Sequence, residues 1–173
     1  MTKKAAFILV FPFVMWISSC RDPILEKRNA EEEIRAVVLR KQIDDWFGPI
    51  EASLAHPKDS YESDATRSLN FHEIYISVGE TDPSDQLLLR LQVPGRTVRK
   101  LSASTGRPAP RDKISHKLGI LFVVGSVKWL TDHSAEVYGQ YWCGGLCSAE
   151  YQHTLRLKDG HWTVESSKML WIS

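Results

Sequence analysis

Residues 147–164, CSAEYQHTLRLKDGHWTV, contain the strongest structural signal of the chain. From Glu150 onward, polar residues alternate with mostly apolar ones, and this period of two is typical of a strand with one buried face. Asp159-Gly160 is a dipeptide favoured in type I′ hairpin turns. A tight turn at this point places Leu157 opposite Trp162, apolar against apolar. The stretch therefore predicts two antiparallel strands joined by a hairpin.

The turn before this stretch gives an independent indication of strand orientation. If Cys143 faces Cys147 across Gly144-Gly145-Leu146, then Val137 pairs with His153. A slip of one residue would move every side chain to the other face of the sheet, so agreement between two turns is informative. Both turns place His153 on the inward side of its strand.

The neighbouring segments extend the hairpin into a larger sheet. Alternation and turn signals predict a four-strand meander at residues 118–130, 134–143, 147–158 and 161–171. Upstream, alternation predicts a half-buried strand at residues 71–78, followed by a short helix capped by Asp82. Residues 96–111 are basic and interleaved with proline, glycine and serine, and this composition predicts a solvated loop.

The N-terminal part of the domain predicts one long helix. Asn29 and Glu32 have the spacing of a capping box, in which each side chain bonds to a backbone N–H of the other's turn. Apolar residues at helical spacing continue to about Phe47, where Gly48-Pro49 is expected to end the helix. Residues 50–70 have weak periodicity and yield no prediction.

The first twenty residues have the three parts of a secretory signal. Lys3 and Lys4 precede an uncharged apolar run at residues 5–17, and small residues follow at Ser18-Ser19. The run is 13 residues long, whereas a helix that spans a bilayer needs about 20 apolar residues. The segment predicts export.

Ile17-Ser18-Ser19-Cys20 resembles the lipobox of bacterial lipoproteins. The resemblance implies that Cys20 receives the lipid, with palmitate among its acyl chains, and becomes the new N-terminus. Arg21 after the cysteine implies sorting to the periplasmic face of the outer membrane rather than the inner membrane, as in enterobacterial lipoproteins. Two alternatives stay open, namely ordinary cleavage without lipid and an uncleaved anchor helix.

Cleavage before Cys20 divides the chain into a signal peptide at 1–19, a tether at 20–28 and one domain at 29–173. The formal net charge of +1 becomes −1 when Lys3 and Lys4 are removed. A near-neutral chain lacks the clustered basic face that nucleic acid requires, so no nucleic-acid partner is predicted. Phosphate-loop, Gly-x-Ser-x-Gly and His-Glu-x-x-His motifs are absent from the sequence, and no cofactor is predicted.

Cys143 and Cys147 are the cysteines that follow Cys20. In an exported protein a close pair favours a structural disulfide. A metal site would need two more ligands at suitable spacing, which His153 and His161 do not provide, so no metal is predicted. A redox pair would favour Cys-x-x-Cys at a helix start, whereas this spacing is longer and its flanks predict strands.

The order of helix, strand, helix and antiparallel meander, ending in Trp171-Ile172-Ser173, resembles the NTF2-like, cystatin-like α+β fold. The resemblance implies a curved antiparallel sheet packed on a long N-terminal helix, with room for a conical pocket. The motifs at 143–147 and 158–164 also look like those of small bacterial exported proteins of unknown function, and they imply no activity. NTF2-like domains often dimerise through the sheet, which leaves a homodimer open.

NTF2-like enzymes place acid/base residues on the concave face of the sheet, and His153 is the candidate for such a role. Its predicted inward neighbours Tyr141, Tyr151 and Trp162 are candidate binding residues. The pKa of an ordinary histidine, about 6.5, suits proton transfer. Asp44 or Asp45 is a candidate to orient the ring.

The alternative for His153 is a packed histidine that hydrogen bonds to a tyrosine or to Ser166, its expected cross-strand neighbour. We therefore expect an envelope-anchored binding or scaffold module with no identifiable catalytic activity. Two further hypotheses are a small-molecule-binding or acid/base protein that uses His153, and an inhibitor or immunity-type lipoprotein. The last would present the Gly144-Gly145-Leu146 tip to a protein partner.

Overall fold

The chain folds as α+β, with a helix on one face of a mixed, open sheet of seven strands. The computed structural model describes residues 22–55 and 71–173. The elements are α1 (Pro23–Ala55), β1 (Glu73–Val78), α2 (Asp85–Leu89), β2 (Thr97–Lys100), β3 (Gly119–Val124), β4 (Lys128–Thr131), β5 (Ser134–Gly144), β6 (Cys147–Lys158) and β7 (His161–Ile172). The strand order is β2-β1-β3-β5-β6-β7, and β4 pairs with β5 outside this path.

The sheet is not antiparallel throughout, and this corrects the prediction. β1 runs parallel to both β2 and β3. Parallel neighbours need a crossover, which α2 supplies between β1 and β2. The predicted first strand of the meander, residues 118–130, is in fact two strands, because the chain leaves β3 at Gly125 and forms a short hairpin between β4 and β5.

The predicted register is confirmed for the β5–β6 pair and for the part of the β6–β7 pair next to the Asp159-Gly160 turn. Leu157 lies opposite Trp162, and Val137 lies opposite His153. Two bulges in the β6–β7 pair, between Glu150 and Tyr151 and between Thr154 and Leu155, change the pairing further along.

The helix α1 starts earlier and ends later than the capping box and Gly48-Pro49 predict. It begins at Pro23, where the carboxylate of Asp22 accepts the N–H of Ile24 at 2.9 Å. Proline suits this position because a first-turn N–H has no helical partner. The segment predicted as a tether is thus helical from Pro23. The backbone stays helical beyond Pro49 to Ala55.

The inner face, defined as the face of the sheet that carries α1, holds the main core. Ile34, Leu39 and Phe47 of α1 are buried with Ile76 and Phe122 of the sheet. On another side of α1 lies α2, where Ser84 Oγ donates to the Glu32 carboxylate at 2.7 Å. Contact on two sides explains why α1 has buried residues around much of its circumference.

The outer face, opposite to α1, is also covered. Tyr75, Leu121 and Val123 form a second, smaller buried cluster. Leu101 and Ala103 pack against it. β1 is therefore buried on both faces, and the prediction of a half-buried strand was wrong because part of the presumed solvated loop covers it.

The cap of α2 is Ser84 rather than the predicted Asp82. Ser84 Oγ accepts the N–H of Leu87 at 3.0 Å. The Asp82 carboxylate instead accepts the N–H of Ser102 at 2.8 Å, and hydrogen bonds to the side chain and then the backbone of Ser102 lower the pKa of Asp82. Asp82 thus ties residues 101–118, which we call the outer-face segment, to the loop after β1.

Candidate functional site

His153 lies on β6, on the inner face beneath α1, and its side chain is 1% exposed. Its Nδ1 is 2.9 Å from Ser167 Oγ on β7. The ring of Tyr151 stacks near it, with 6.1 Å between ring centroids. The bulge between Thr154 and Leu155 brings Ser167, not the predicted Ser166, opposite the histidine.

Gly139 on β5 makes room for two polar side chains. A Cβ at this position would lie 2.5 Å from Gln42 Nε2 and 3.0 Å from His153 Nε2. Gln42 of α1 and His153 therefore converge over the bare backbone of Gly139. Trp46, whose indole Nε1 is also buried, follows Gln42 by one turn of α1. We call Gln42, Trp46 and His153 the buried polar cluster.

Several atoms of the buried polar cluster make no hydrogen bond within the described part of the chain. They are both amide atoms of Gln42, the indole Nε1 of Trp46 and Nε2 of His153. Buried polar groups are normally paired, so this region is the least satisfied part of the inner core. Sequence analysis identified His153 but not its partners on α1, which come close only in the tertiary structure.

The pKa of His153 is lowered from 6.5 to about 4, mainly by burial and further by the positive charge of Lys41. Asp45 acts in the opposite direction. The carboxylate of Asp45 is 2.6 Å from Lys41 Nζ, and Asp44 is exposed. Among the hydrogen bonds found for His153, its ring partner is Ser167 and neither aspartate, so the predicted orienting role of Asp44 or Asp45 is corrected.

The predicted binding residues around His153 mostly pack against other aromatic rings. Tyr141 contacts Trp46, with 4.6 Å between ring centroids, and burial raises the pKa of its phenol. Trp162 is buried against Trp129 at 5.6 Å. His153 does not line either the cleft beside Ser77 or the cleft between α1 and the residues that follow α2.

The free energy of unfolding should fall as the pH drops from about 6.5 to about 4. In this range His153 is protonated in the unfolded chain, whereas the buried His153 of the folded domain stays neutral. The unfolded state binds more protons in this window, so the free energy of unfolding rises with pH across it. The full shift corresponds to roughly 3 kcal/mol. Urea unfolding of wild type and His153→Gln, measured between pH 4 and 7.5, tests this prediction. The free energy of unfolding should rise with pH more steeply in wild type than in His153→Gln.

Leu155→Val is the matched control for this pH experiment, because it perturbs the same strand and keeps the histidine. It should lower the free energy of unfolding by about 1 kcal/mol at every pH. Identical pH profiles for wild type and His153→Gln would show that His153 titrates normally.

The β5–β6 tip is the second predicted feature, formed by residues 143–147. Cys143 and Cys147 form a disulfide as predicted, with Cα atoms 5.2 Å apart. Between them Leu146 is 90% exposed. Nearby, Ser148 and Ser173 exchange two backbone hydrogen bonds, which hold the last residue of the chain beside the tip.

A cleft on the outer face was not predicted. It has a volume of about 420 Å³ and lies between β1 and the segment that follows β2. Ser77, Leu101, Ser104, Arg107 and Lys113 are among its lining residues. The clue in the sequence is the basic, serine-rich composition of residues 96–111, which the solvated-loop interpretation set aside. Groups of three or more side chains that could hold a metal ion are not found in the described ranges.

No protein-family model, curated protein or solved structure matches this chain. Within residues 22–55 and 71–173, none of the helices is both long and apolar enough to cross a membrane. The predicted signal segment, including Cys20, lies outside the described residues, as do residues 56–70.

Proposed function

We propose that the protein is an envelope lipoprotein, anchored through lipid on Cys20, whose domain is an NTF2-like binding module. The observation that carries the proposal is the contrast between His153 and the β5–β6 tip. The acid/base candidate is buried beneath α1 with a depressed pKa. The tip presents an apolar side chain on a cross-linked turn.

An acid/base role for His153 is the weaker alternative. A general base needs to reach the proton that it removes, at hydrogen-bond distance or through one water. His153 is 1% exposed, and its Nδ1 is engaged by Ser167. A histidine with a pKa of about 4 is also a weak base at neutral pH. These properties favour a structural role for His153, as a packed histidine, over an acid/base role.

The β5–β6 tip has the properties of a protein-docking element. Residues 143–147 contain no charged side chain, so contact with a partner desolvates no ion. The disulfide limits the conformations of the turn before binding, which reduces the entropy lost on association. The partner is a second protein of the envelope, and an enzyme held by this tip would make the domain an inhibitor or immunity protein.

The test places a photo-crosslinking amino acid, p-benzoylphenylalanine, at Leu146 of the full chain in the producing bacterium. Ultraviolet light should then yield one discrete covalent adduct on a denaturing gel. Ile114 is the matched control position, because it is 88% exposed and lies outside residues 143–147, in the connection between β2 and β3. It should not yield the same adduct.

A second variant tests whether the Leu146 side chain itself contacts the partner or only lies near it. Leu146→Ser, with the crosslinker moved to Gly145, should reduce the adduct at least about fivefold, since an apolar contact of about 1 kcal/mol is lost. The absence of an adduct from Leu146, or the same adducts from Leu146 and Ile114, would exclude the tip as the docking element.

A further inference from the structure

We infer that the outer-face cleft binds a small carboxylate that has an apolar body. Its volume of about 420 Å³ lies within the usual range for small-molecule sites. The cleft lies on the face of the sheet opposite to α1, away from His153. It is therefore distinct from both the buried polar cluster and the β5–β6 tip.

The floor of the cleft holds a hydroxyl group without a protein partner. Ser77 is 1% exposed, and its Oγ makes no hydrogen bond within the described residues. Strand alternation places Ser77 on the same face as Tyr75, where Leu121 also lies. A buried hydroxyl left unpaired destabilises the fold, whereas a ligand oxygen at this position would pair it.

The rim of the cleft is cationic. Lys113 Nζ donates to the backbone oxygen of Ser102 at 2.8 Å, and an ammonium group has three protons to donate. Arg107 pairs with the Glu80 carboxylate and lies over the Trp142 ring at 5.3 Å. Glu80, Arg107 and Lys113 together carry a net charge of +1, and the Asp82 carboxylate beside Ser102 also interacts electrostatically with Lys113. Among the direct ion pairs of the described residues, none uses Lys113, which makes it the principal anion-binding group.

Apolar side chains complete the site. Leu101 and Leu121 line the cleft beside the hydroxyl groups of Ser77 and Ser104. A ligand with a charged end at Lys113 and an apolar body against the leucines would match both parts. A purely polar ion would leave the leucine surface uncovered, and an uncharged apolar molecule would not use the lysine.

The walls of the cleft are held in place before any ligand binds. Asp82 fixes the N–H of Ser102, and Ser104 Oγ accepts the N–H of Gly106 at 3.0 Å. The N–H of Lys113 donates to the carbonyl oxygen of Ala103 at 3.1 Å. Such preorganisation lowers the entropy cost of binding.

The probe for this site is 4-fluorobenzoate, and 4-fluorobenzamide is its uncharged counterpart. The full chain, purified from the producing cell and held in lipid nanodiscs, is titrated with each probe while fluorine NMR line broadening is recorded. Empty nanodiscs give the background. We expect saturable binding of the benzoate, and binding at least about tenfold weaker for the benzamide, because one charge-assisted hydrogen bond is lost.

Lys113→Met should weaken benzoate binding about tenfold, since the charge is removed and most of the stem volume is kept. Lys117→Met is the matched control, because Lys117 is exposed on the same loop and does not line the cleft. Circular dichroism melting curves check that both variants fold. Equal binding of the two probes, an unchanged affinity in Lys113→Met, or no saturable binding would each overturn the inference.

Discussion

Replacing Cys20 with serine should abolish incorporation of labelled palmitate and release the protein from the membrane fraction. Serine has no thiol to accept the diacylglyceryl group, so the proposed anchor cannot form. The apolar run at residues 5–17 is too short to replace it as a comfortable bilayer span. Metabolic labelling with radioactive palmitate, followed by membrane sedimentation, measures both effects.

The other cysteines provide the control for this labelling experiment. Cys143→Ala with Cys147→Ala should keep the label and the membrane location, because these residues belong to the β5–β6 tip. The same experiment separates the three hypotheses for the N-terminal segment. Ordinary cleavage leaves an unlabelled, released wild type, and an uncleaved anchor helix leaves an unlabelled, membrane-bound one.

Replacing Gly119 with alanine should destabilise the domain by about 3 kcal/mol, the upper part of the usual range for overpacking a core. The new Cβ would lie 2.5 Å from Cε2 of Tyr75 and 2.7 Å from the backbone oxygen of Glu73. Tyr75 is fully buried and β1 is hydrogen bonded on both sides, so neither group can move away cheaply. Urea unfolding measures the loss of stability.

Gly145→Ala is the matched control for Gly119→Ala. A Cβ at Gly145 meets no atom within 4 Å, and the residue is in the exposed tip. It should change the free energy of unfolding by less than about 0.5 kcal/mol. A loss below about 1 kcal/mol in Gly119→Ala would mean that β1 and β3 yield to the added methyl group.

The outer-face cluster also accounts for the raised pKa of Tyr75. Burial, together with the charges of Asp112 and Glu73, raises its pKa to about 12. Its hydroxyl has no hydrogen-bond partner within the described residues. The prediction of a half-buried strand would have exposed this phenol to solvent, and only the segment after β2 prevents that.

Some features of the candidate sites are set by neighbouring residues, and others by residues that are distant in sequence. His153 was predicted to face inward, and it does, because two local turns define the register of β6. Its neutral state was not predictable, since that follows from Gln42, Lys41 and the rest of α1 packing over it. The outer-face cleft was missed because its walls come from segments distant in sequence.

The helix boundaries show where local signals compete. Asn29 and Glu32 have the spacing of a capping box, yet Asp22 and Pro23, further toward the N-terminus, provide the start that the chain uses. Gly48-Pro49 is a local stop signal that the backbone passes. Capping contributes only about 1 kcal/mol, so a capping box at Asn29 does not prevent an earlier start at Asp22 and Pro23, and residues 23–29 extend the helix although they are exposed.

The sequence by itself determined the β5–β6–β7 meander, its register next to the two turns and the disulfide, because alternation, Asp159-Gly160 and the close cysteines act between neighbouring residues. Tertiary structure alone decided the parallel pairing of β1 with β2 and β3, the burial of both faces of β1 and the cleft beside Ser77. These features join segments separated by 20 or more residues. Their contacts form only when the whole sheet excludes water, so no local pattern records them.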